Sequence, residues 1–467
     1  MELKLPEFVK KILDQFEKNN FEIYIVGGIV RDLLINRPAV DWDFTTNATP
    51  KQILALFPNG FYDNQFGTVG IVNPKEKKKK VYYGKPLVYE ITTFRKEIGY
   101  TDRRHPDKVI WGKKLEEDLV RRDLTINAMA LKPVTGYQSP VASFKLIDPH
   151  NGQKDIKAKL IRAVGNPNKR FQEDALRMMR AVRLATQLGF TLEEKTFQAI
   201  KKNIDLVDQI SAERIRDELL KLLSYQHASD GYLILRNAGL AEKILPEVEK
   251  MFGVEQKSPG RHHIDDVGTH AIKSLKASKS LNPIVNLAIL IHDVGKPITA
   301  GKDKKGTITF YNHEMVGASI AQNIARRLRF SKKDEQRLII LVRWHQFSVD
   351  ERQTDKAIRR FIRNVGKENL TDMLELRRAD RIGSGARETS WRFERFKKKL
   401  VEVQKQPFSV TDLKVDGNDV IKILGIRPGP MVGKILNQLF EEVVENKGRN
   451  KHNYLLKRIK IIGKKLV

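Results

Sequence analysis

The chain is predicted to be an α+β protein: a small mixed β-sheet head at the N-terminus, then helices through the rest. Three observations predict this. Strand-like runs broken by glycine fall within the first 150 residues. Beyond them, apolar residues recur at helical spacing. At 467 residues the chain is too long for one core, so three to four domains are expected. The divisions read from the sequence are a head over 1–150, a helical neck over 151–255, a helical body over 256–400 and a tail over 401–467.

The elements follow in order. Leu5, Phe8, Val9, Ile12, Leu13 and Phe16 lie at helical spacing among charges, which makes an amphipathic helix within Met1 to Asn20 rather than a signal peptide. Ile23 to Val26 is an apolar run of strand length, broken by Gly27 and Gly28, with a helical pattern after them. A glycine turn into a helix start lets backbone N–H groups approach a phosphate. Arg31 falls in the first turn of that helix and offers a charged fork. Asp41 and Asp43 alternate along a second short strand, so both carboxylates project from one face, where they can hold hard cations. Lys51 to Phe57 is a short helix, and Phe66 to Val72 a strand. The basic run Lys75 to Lys80 reads as a solvated hairpin turn. In the alternating strand from Leu87 to Arg95, Glu90 supplies a third carboxylate, suited to orienting or deprotonating an attacking hydroxyl.

Charge narrows the partners. Lys and Arg total 86 against 57 Asp and Glu, a net charge of +29, which points to a polyanion. There are no cysteines, which excludes disulfides, thiolate zinc sites and cysteine nucleophiles. No apolar run reaches membrane-spanning length, so no membrane partner and a cytoplasmic location are expected.

In the neck, a helix is predicted from Arg170 onward. Asp174 and Arg177 are three apart and should be neighbours on one face, with Arg180 and Arg183 continuing that face as it winds. Further on, His270, His292-Asp293, His313-Glu314, His345 and Asp380 sit on or at the ends of otherwise apolar helices. These are poor structural choices there unless they converge.

Strand, Gly27-Gly28, helix with Arg31, then Asp41 and Asp43 on a strand is a specific combination. It resembles the nucleotidyltransferase superfamily built like the DNA polymerase beta palm. More narrowly, the chain resembles the class II tRNA nucleotidyltransferases (CCA-adding enzymes) and bacterial poly(A) polymerases. That resemblance implies two Mg2+ ions on Asp41 and Asp43, Glu90 beside them, and CTP, ATP and a tRNA or other RNA 3′ end as substrates. It implies that Gly28, Arg31 and Arg122 hold the triphosphate or sugar, and that the Gly99 to Val109 segment is a mobile loop. Glu173, Asp174 and Arg177 match the family's protein-template motif, and Arg180 and Arg183 match positions that line the nucleotide pocket or bind phosphate. Ser211, Glu213 and Arg214 match a helix-capping motif, and structural roles are expected for them.

The template motif has a chemical logic. Cytosine and adenine each present an amino donor beside a ring-nitrogen acceptor. A carboxylate accepts from the first and a guanidinium donates to the second. Uracil and guanine present a carbonyl and a ring N–H, which leave both groups mismatched. The order of His270, His292, Asp293 and Asp380 resembles the HD superfamily of phosphohydrolases, and these four match its ligand positions for a transition metal or Mg2+. Three rivals to full CCA addition stay open on the sequence. One is a poly(A) polymerase or an enzyme adding only A or only C. The others are a hydrolase working from the HD site and a non-catalytic RNA binder.

Overall fold

The computed structural model describes residues 2–64, 67–73, 88–101, 106–135, 142–256, 265–347, 349–350, 352–404 and 410–466. The basic run Lys75 to Lys80 lies outside them. The chain divides into two compact units, Met1–Glu249 and Lys250–Val467. The head and neck distinguished in the sequence therefore share one unit, and the body and tail share the other.

The first unit opens with β1 (Glu2–Leu3), α1 (Glu7–Lys18), β2 (Ile23–Val26), α2 (Gly28–Leu34), β3 (Asp43–Thr46), α3 (Pro50–Leu56), β4 (Phe61–Asn64), β5 (Thr68–Val72) and β6 (Val88–Thr93). A separate hairpin of β7 (Arg95–Ile98) and β8 (Lys108–Trp111) follows, then α4 (Leu115–Leu119), β9 (Ala130–Thr135) and β10 (Ala142–Ile147). The main sheet runs β1-β10-β9-β2-β3-β6-β5-β4. Val9, Ile12, Leu13 and Phe16 of α1 are fully buried in one core with Ile25, Phe44 and Ile91. The amphipathic spacing read from the sequence is thus a packing face. In α3, Thr49 and Gln52 form a reciprocal capping box with Pro50 in the first turn, which fixes where the helix starts.

Two pairings in the sheet position the chemistry. β2 lies antiparallel to β3, setting Val26 opposite Asp43 beside the glycine turn. β3 lies parallel to β6, setting Asp43 opposite Glu90. Asp41 was expected on the strand; it lies two residues before β3 begins, in irregular backbone.

The unit continues with α5 (Gly152–Lys157), α6 (Pro167–Glu173), α7 (Leu176–Leu188), α8 (Glu194–Lys202), α9 (Ala212–Leu223), α10 (Ala228–Asn237), α11 (Leu240–Ile244) and α12 (Pro246–Glu249). The single helix expected from Arg170 is two. Asp174 adopts an extended conformation (φ −145°, ψ 107°) at the end of α6. Its Oδ1 accepts from Leu176 N at 3.1 Å, so the side chain takes over a backbone donor that a continuous helix would have used. Asp174 and Arg177 are therefore not neighbours on one helical face.

The second unit is mainly helical: α13 (Val267–Ala277), α14 (Pro283–Ile291), α15 (Lys296–Thr299), α16 (His313–Arg327), α17 (Lys332–Trp344), α18 (Asp355–Val365), α19 (Leu370–Gly383), α20 (Trp391–Gln404), α21 (Gly417–Leu424), α22 (Pro430–Glu445) and α23 (His452–Leu466). α14 is buried along its length, from Ile284 to Ile291. The last three helices build a core of their own around Ile435, Leu439, Leu455 and Ile459. Among the described residues, no helix is long and apolar enough to cross a membrane.

Candidate active site

The glycine turn after β2 sets the geometry. Gly27 has φ +82°, a conformation that L side chains rarely adopt. A Cβ built there would stand 3.0 Å from Arg122 Nη1 and 3.6 Å from Asp43 Oδ2. The backbone angle calls for glycine, and the Arg122 guanidinium would crowd any side chain there.

Around this turn is a cavity of about 340 Å³. Gly27, Gly28 and Asp43 form one wall, Arg121, Arg122, Asp123 and Asn127 a second, and Asp174, Leu176, Arg177, Arg180 and Arg214 the third. Of the residues singled out in the sequence, Gly28, Asp43, Arg122, Asp174, Arg177 and Arg180 line it. Asp41 and Glu90 do not, but both lie close enough to act on Asp43. Burial, then the charges of Asp41 and Glu90, push the Asp43 carboxyl up to about 8, against a smaller opposing pull from Arg122. Asp41 is also raised, by desolvation and by Asp32, with Lys221 opposing. A divalent cation bound beside Asp43 would relieve that repulsion.

Two residues are placed differently from expectation. Arg31 is 5% exposed and is not among the residues that line the cavity, although its guanidinium lies beside Gly28. Its Nη1 donates to Asn127 Oδ1 at 2.7 Å and its Nε to Asp32 Oδ1 at 2.9 Å. Both ends of the fork are engaged, so Arg31 braces Asn127, which itself lines the cavity. Arg183 Nε donates to Glu218 Oε2 at 2.5 Å, which ties α7 to α9 instead of reaching the cavity.

Asp174 and Arg177 are each engaged by another charged partner. Asp174 Oδ2 accepts from Arg214 Nη2 at 2.8 Å. Arg177 Nη1 donates to Glu173 Oε2 at 2.7 Å. Each group is thus oriented by a neighbour of opposite charge, and both residues line the cavity. Arg214, expected to be structural, is the lining residue that sequence reasoning undervalued. Ser211 does occupy the N-cap position of α9 but makes no side-chain capping bond. Arg180 is fixed by Asp123, at 2.8 Å from Nε and 2.7 Å from Nη2. That pairing holds the Asp123 carboxyl well below the usual range despite its burial.

Asp118 organises the arginine wall. Its fully buried carboxylate accepts from Arg121 Nη2 at 2.5 Å and from Arg122 Nη2 at 3.1 Å. Arg121 also donates to Glu97 Oε1 at 3.0 Å, and Arg95 donates to the same oxygen at 2.7 Å. The β7–β8 hairpin is in this way wired to the guanidinium beside Gly27. Asp118→Ala would leave Arg122 without its buried counter-charge and Arg121 with Glu97 alone. It should destabilise the protein by about 3 kcal/mol, seen as a lower denaturant midpoint at unchanged m-value.

In the second unit, His270 on α13, His292 and Asp293 after α14, and Asp380 on α19 come together, as do His313 at the start of α16 and His345 at the end of α17. His270 Nε2 lies 3.2 Å from His292 Nε2 and 3.2 Å from Asp380 Oδ1. His270, His292 and Asp293 form one buried group able to hold a metal ion, and Asp293, His313 and His345 form another.

Residues 23–162 match the family described as "Poly A polymerase head domain", and residues 189–252 that described as "Probable RNA and SrmB- binding site of polymerase A". Residues 307–459 match tRNA nucleotidyltransferase domain 2. The CCA-adding enzyme of Lactobacillus helveticus is 45% identical over 245 residues, 52% of this chain and 56% of that one, so this match spans about half of each protein. The CCA-adding enzyme of Limosilactobacillus reuteri is 32% identical over 467 residues, covering 98% of this chain and 97% of that one. Among solved structures, the Bacillus stearothermophilus CCA-adding enzyme in complex with CTP superposes with a TM-score of 0.67. It is 27% identical and the match covers 98% of both chains.

Proposed function

The chain belongs to the CCA-adding enzyme family of tRNA nucleotidyltransferases, and from that premise we propose that it adds CCA to tRNA 3′ ends from CTP and ATP without a nucleic-acid template. The observation that carries the reading is one cavity holding the glycine turn, Asp43, the arginine wall and the Asp174–Arg177 couple.

Nucleotidyl transfer in this family implies a divalent metal, which we take to be Mg2+ held by Asp41 and Asp43. When bound, it supplies a lowered pKa for the 3′-hydroxyl and charge neutralisation at the phosphates. The chain's own residues do the rest. Arg122 stands beside Gly27 and binds the triphosphate, with Gly28 N–H at the start of α2. Glu90, across from Asp43, orients the 3′-hydroxyl and accepts its proton at the carboxylate. Asp174 accepts from the exocyclic amino group of C or A, and Arg177 donates to the adjacent ring nitrogen. The excess of Lys and Arg, +29 net, favours the tRNA polyanion.

Incubating a tRNA that lacks its 3′ CCA with CTP alone, ATP alone, or both tests this. CTP alone should extend by two residues and both nucleotides by three. Runs of A from ATP alone would instead identify a poly(A) polymerase, and a stop after C or a start only on CC a partial-adding enzyme.

A second reading is favoured by a separate observation, the convergence of His270, His292, Asp293 and Asp380. We propose that these four hold a divalent metal in an HD-type phosphohydrolase site. His292→Ala should abolish hydrolysis and spare CCA addition, and Asp41→Ala should do the reverse.

A further inference from the structure

Helix α9 carries a lysine that the site has not yet used. Arg214, Glu218 and Lys221 stand four and then three residues apart along it, which puts them on one face. Lys221 lies about 10 Å further along the axis than Arg214. Arg214 ends at the base-reading acid, its Nη2 2.8 Å from Asp174 Oδ2. Glu218 is tied to Arg183 of α7. Lys221 lies close to the acids of the head. Burial and then Asp32 raise the Asp41 carboxyl, and the charge that opposes them is Lys221. One face of α9 thus reaches from the acid that reads the base to an acid that holds metal.

The ammonium of Lys221 is loosely held. Glu218 Oε1 is 3.8 Å away, beyond hydrogen-bond reach, and the other oxygen of Glu218 already accepts from Arg183 Nε at 2.5 Å. The Lys221 side chain is 52% exposed. It is a cation at the mouth of the site, open to an anion that arrives from solvent.

Nucleotidyl transfer brings such an anion. The attacking 3′-oxygen must come to Asp41, Asp43 and Glu90, and it comes on a nucleotide with a negative phosphodiester on its 5′ side. Only one sugar separates the two, so that phosphate meets the same crowd of acids. Arg122 and the Gly28 N–H are taken by the incoming triphosphate, which leaves the tRNA end in need of a cation of its own. We propose that Lys221 binds the phosphodiester on the 5′ side of the tRNA's terminal nucleotide and so sets the 3′-hydroxyl beside Asp41. The proposal rests on the nucleotidyl-transfer reading and adds to it a residue that positions the tRNA end. A lysine suits the task. The terminal nucleotide changes as CCA is built, but its phosphate does not, and a point charge on a flexible stem reads the phosphate alone.

Initial rates are measured with the full-length protein on a tRNA lacking CCA, with tRNA and CTP varied separately. Lys221→Ala should raise KM for tRNA about tenfold, the worth of one charge-assisted hydrogen bond, while KM for CTP and the Mg2+ requirement stay as they are. Lys221→Arg should restore most of the loss. The salt dependence of kcat/KM for tRNA should lose a slope of about 0.7 in Lys221→Ala, one single-strand phosphate contact. The decisive substrate carries a neutral methylphosphonate in place of the last phosphodiester. It should cost the wild-type protein about the same tenfold and cost Lys221→Ala nothing further. A methylphosphonate without effect on the wild-type protein, or two losses that multiply, overturns the contact. So does a raised KM for CTP or a raised Mg2+ requirement with KM for tRNA unmoved, since Lys221 would then serve Asp41. Failure of the wild-type protein to extend the unmodified tRNA sinks the nucleotidyl-transfer reading itself.

Discussion

Asp43→Ala should abolish nucleotide addition, by at least about 10³-fold, without harming the fold. Asp43 is the acid on which the head converges. It sits at the start of β3, opposite Val26 on one side and Glu90 on the other, beside the glycine turn. Its environment is unfavourable to a carboxylate on its own, since burial and two neighbouring acids push it up to about 8. Removing it therefore relieves repulsion, and the melting temperature should stay level or rise while activity disappears. The measurement is primer extension on a tRNA lacking CCA, with thermal unfolding in parallel. A variant that still extends the tRNA at more than a tenth of the wild-type rate would mean that the metal-holding acids lie elsewhere.

Asp174→Ala should cost about 10²-fold in kcat/KM for CTP and ATP and, more tellingly, erase most of the bias against UTP and GTP. The loss has two parts. The acceptor for the exocyclic amino group goes, and Arg214 loses the partner that holds it at 2.8 Å. A guanidinium left at the cavity can then donate to the carbonyl of uracil, which the intact site penalises. Single-nucleotide incorporation with each of the four triphosphates checks this. Arg214→Ala separates the parts: the acid remains but loses its brace, so rate should fall while the preference for C and A over U and G persists. If Asp174→Ala lowered all four rates equally, the acid would hold structure and read no base.

The head was legible because its signals are local. The run Ile23 to Val26, the break at Gly27-Gly28 and the amphipathic spacing of Val9, Ile12, Leu13 and Phe16 follow from nearest-neighbour backbone and packing rules, and all three appear as predicted. Arg31 was not legible. An arginine in a first helical turn can reach toward a phosphate or back into the body. Only a residue 96 positions on, Asn127, settles which. The break at Asp174 was also hidden. No Gly or Pro marks it, and the period of apolar residues runs through it; a side-chain bond to Leu176 N ends the helix.

What the sequence alone determined is the inventory: the first amphipathic helix and the strand–glycine–helix unit after it, which acids and arginines are available, and a net charge of +29 that suits a polyanion. These depend on residue type and short-range order. What only the tertiary structure decided is who pairs with whom. It gave Asp174 to Arg214, Arg177 to Glu173 and Arg183 to Glu218, and it brought His313 and His345 onto Asp293. Apart from Arg177–Glu173, which is an i,i+4 pair, those choices turn on Coulomb and hydrogen-bond energies between groups tens of residues apart, which act only once folding brings the groups close.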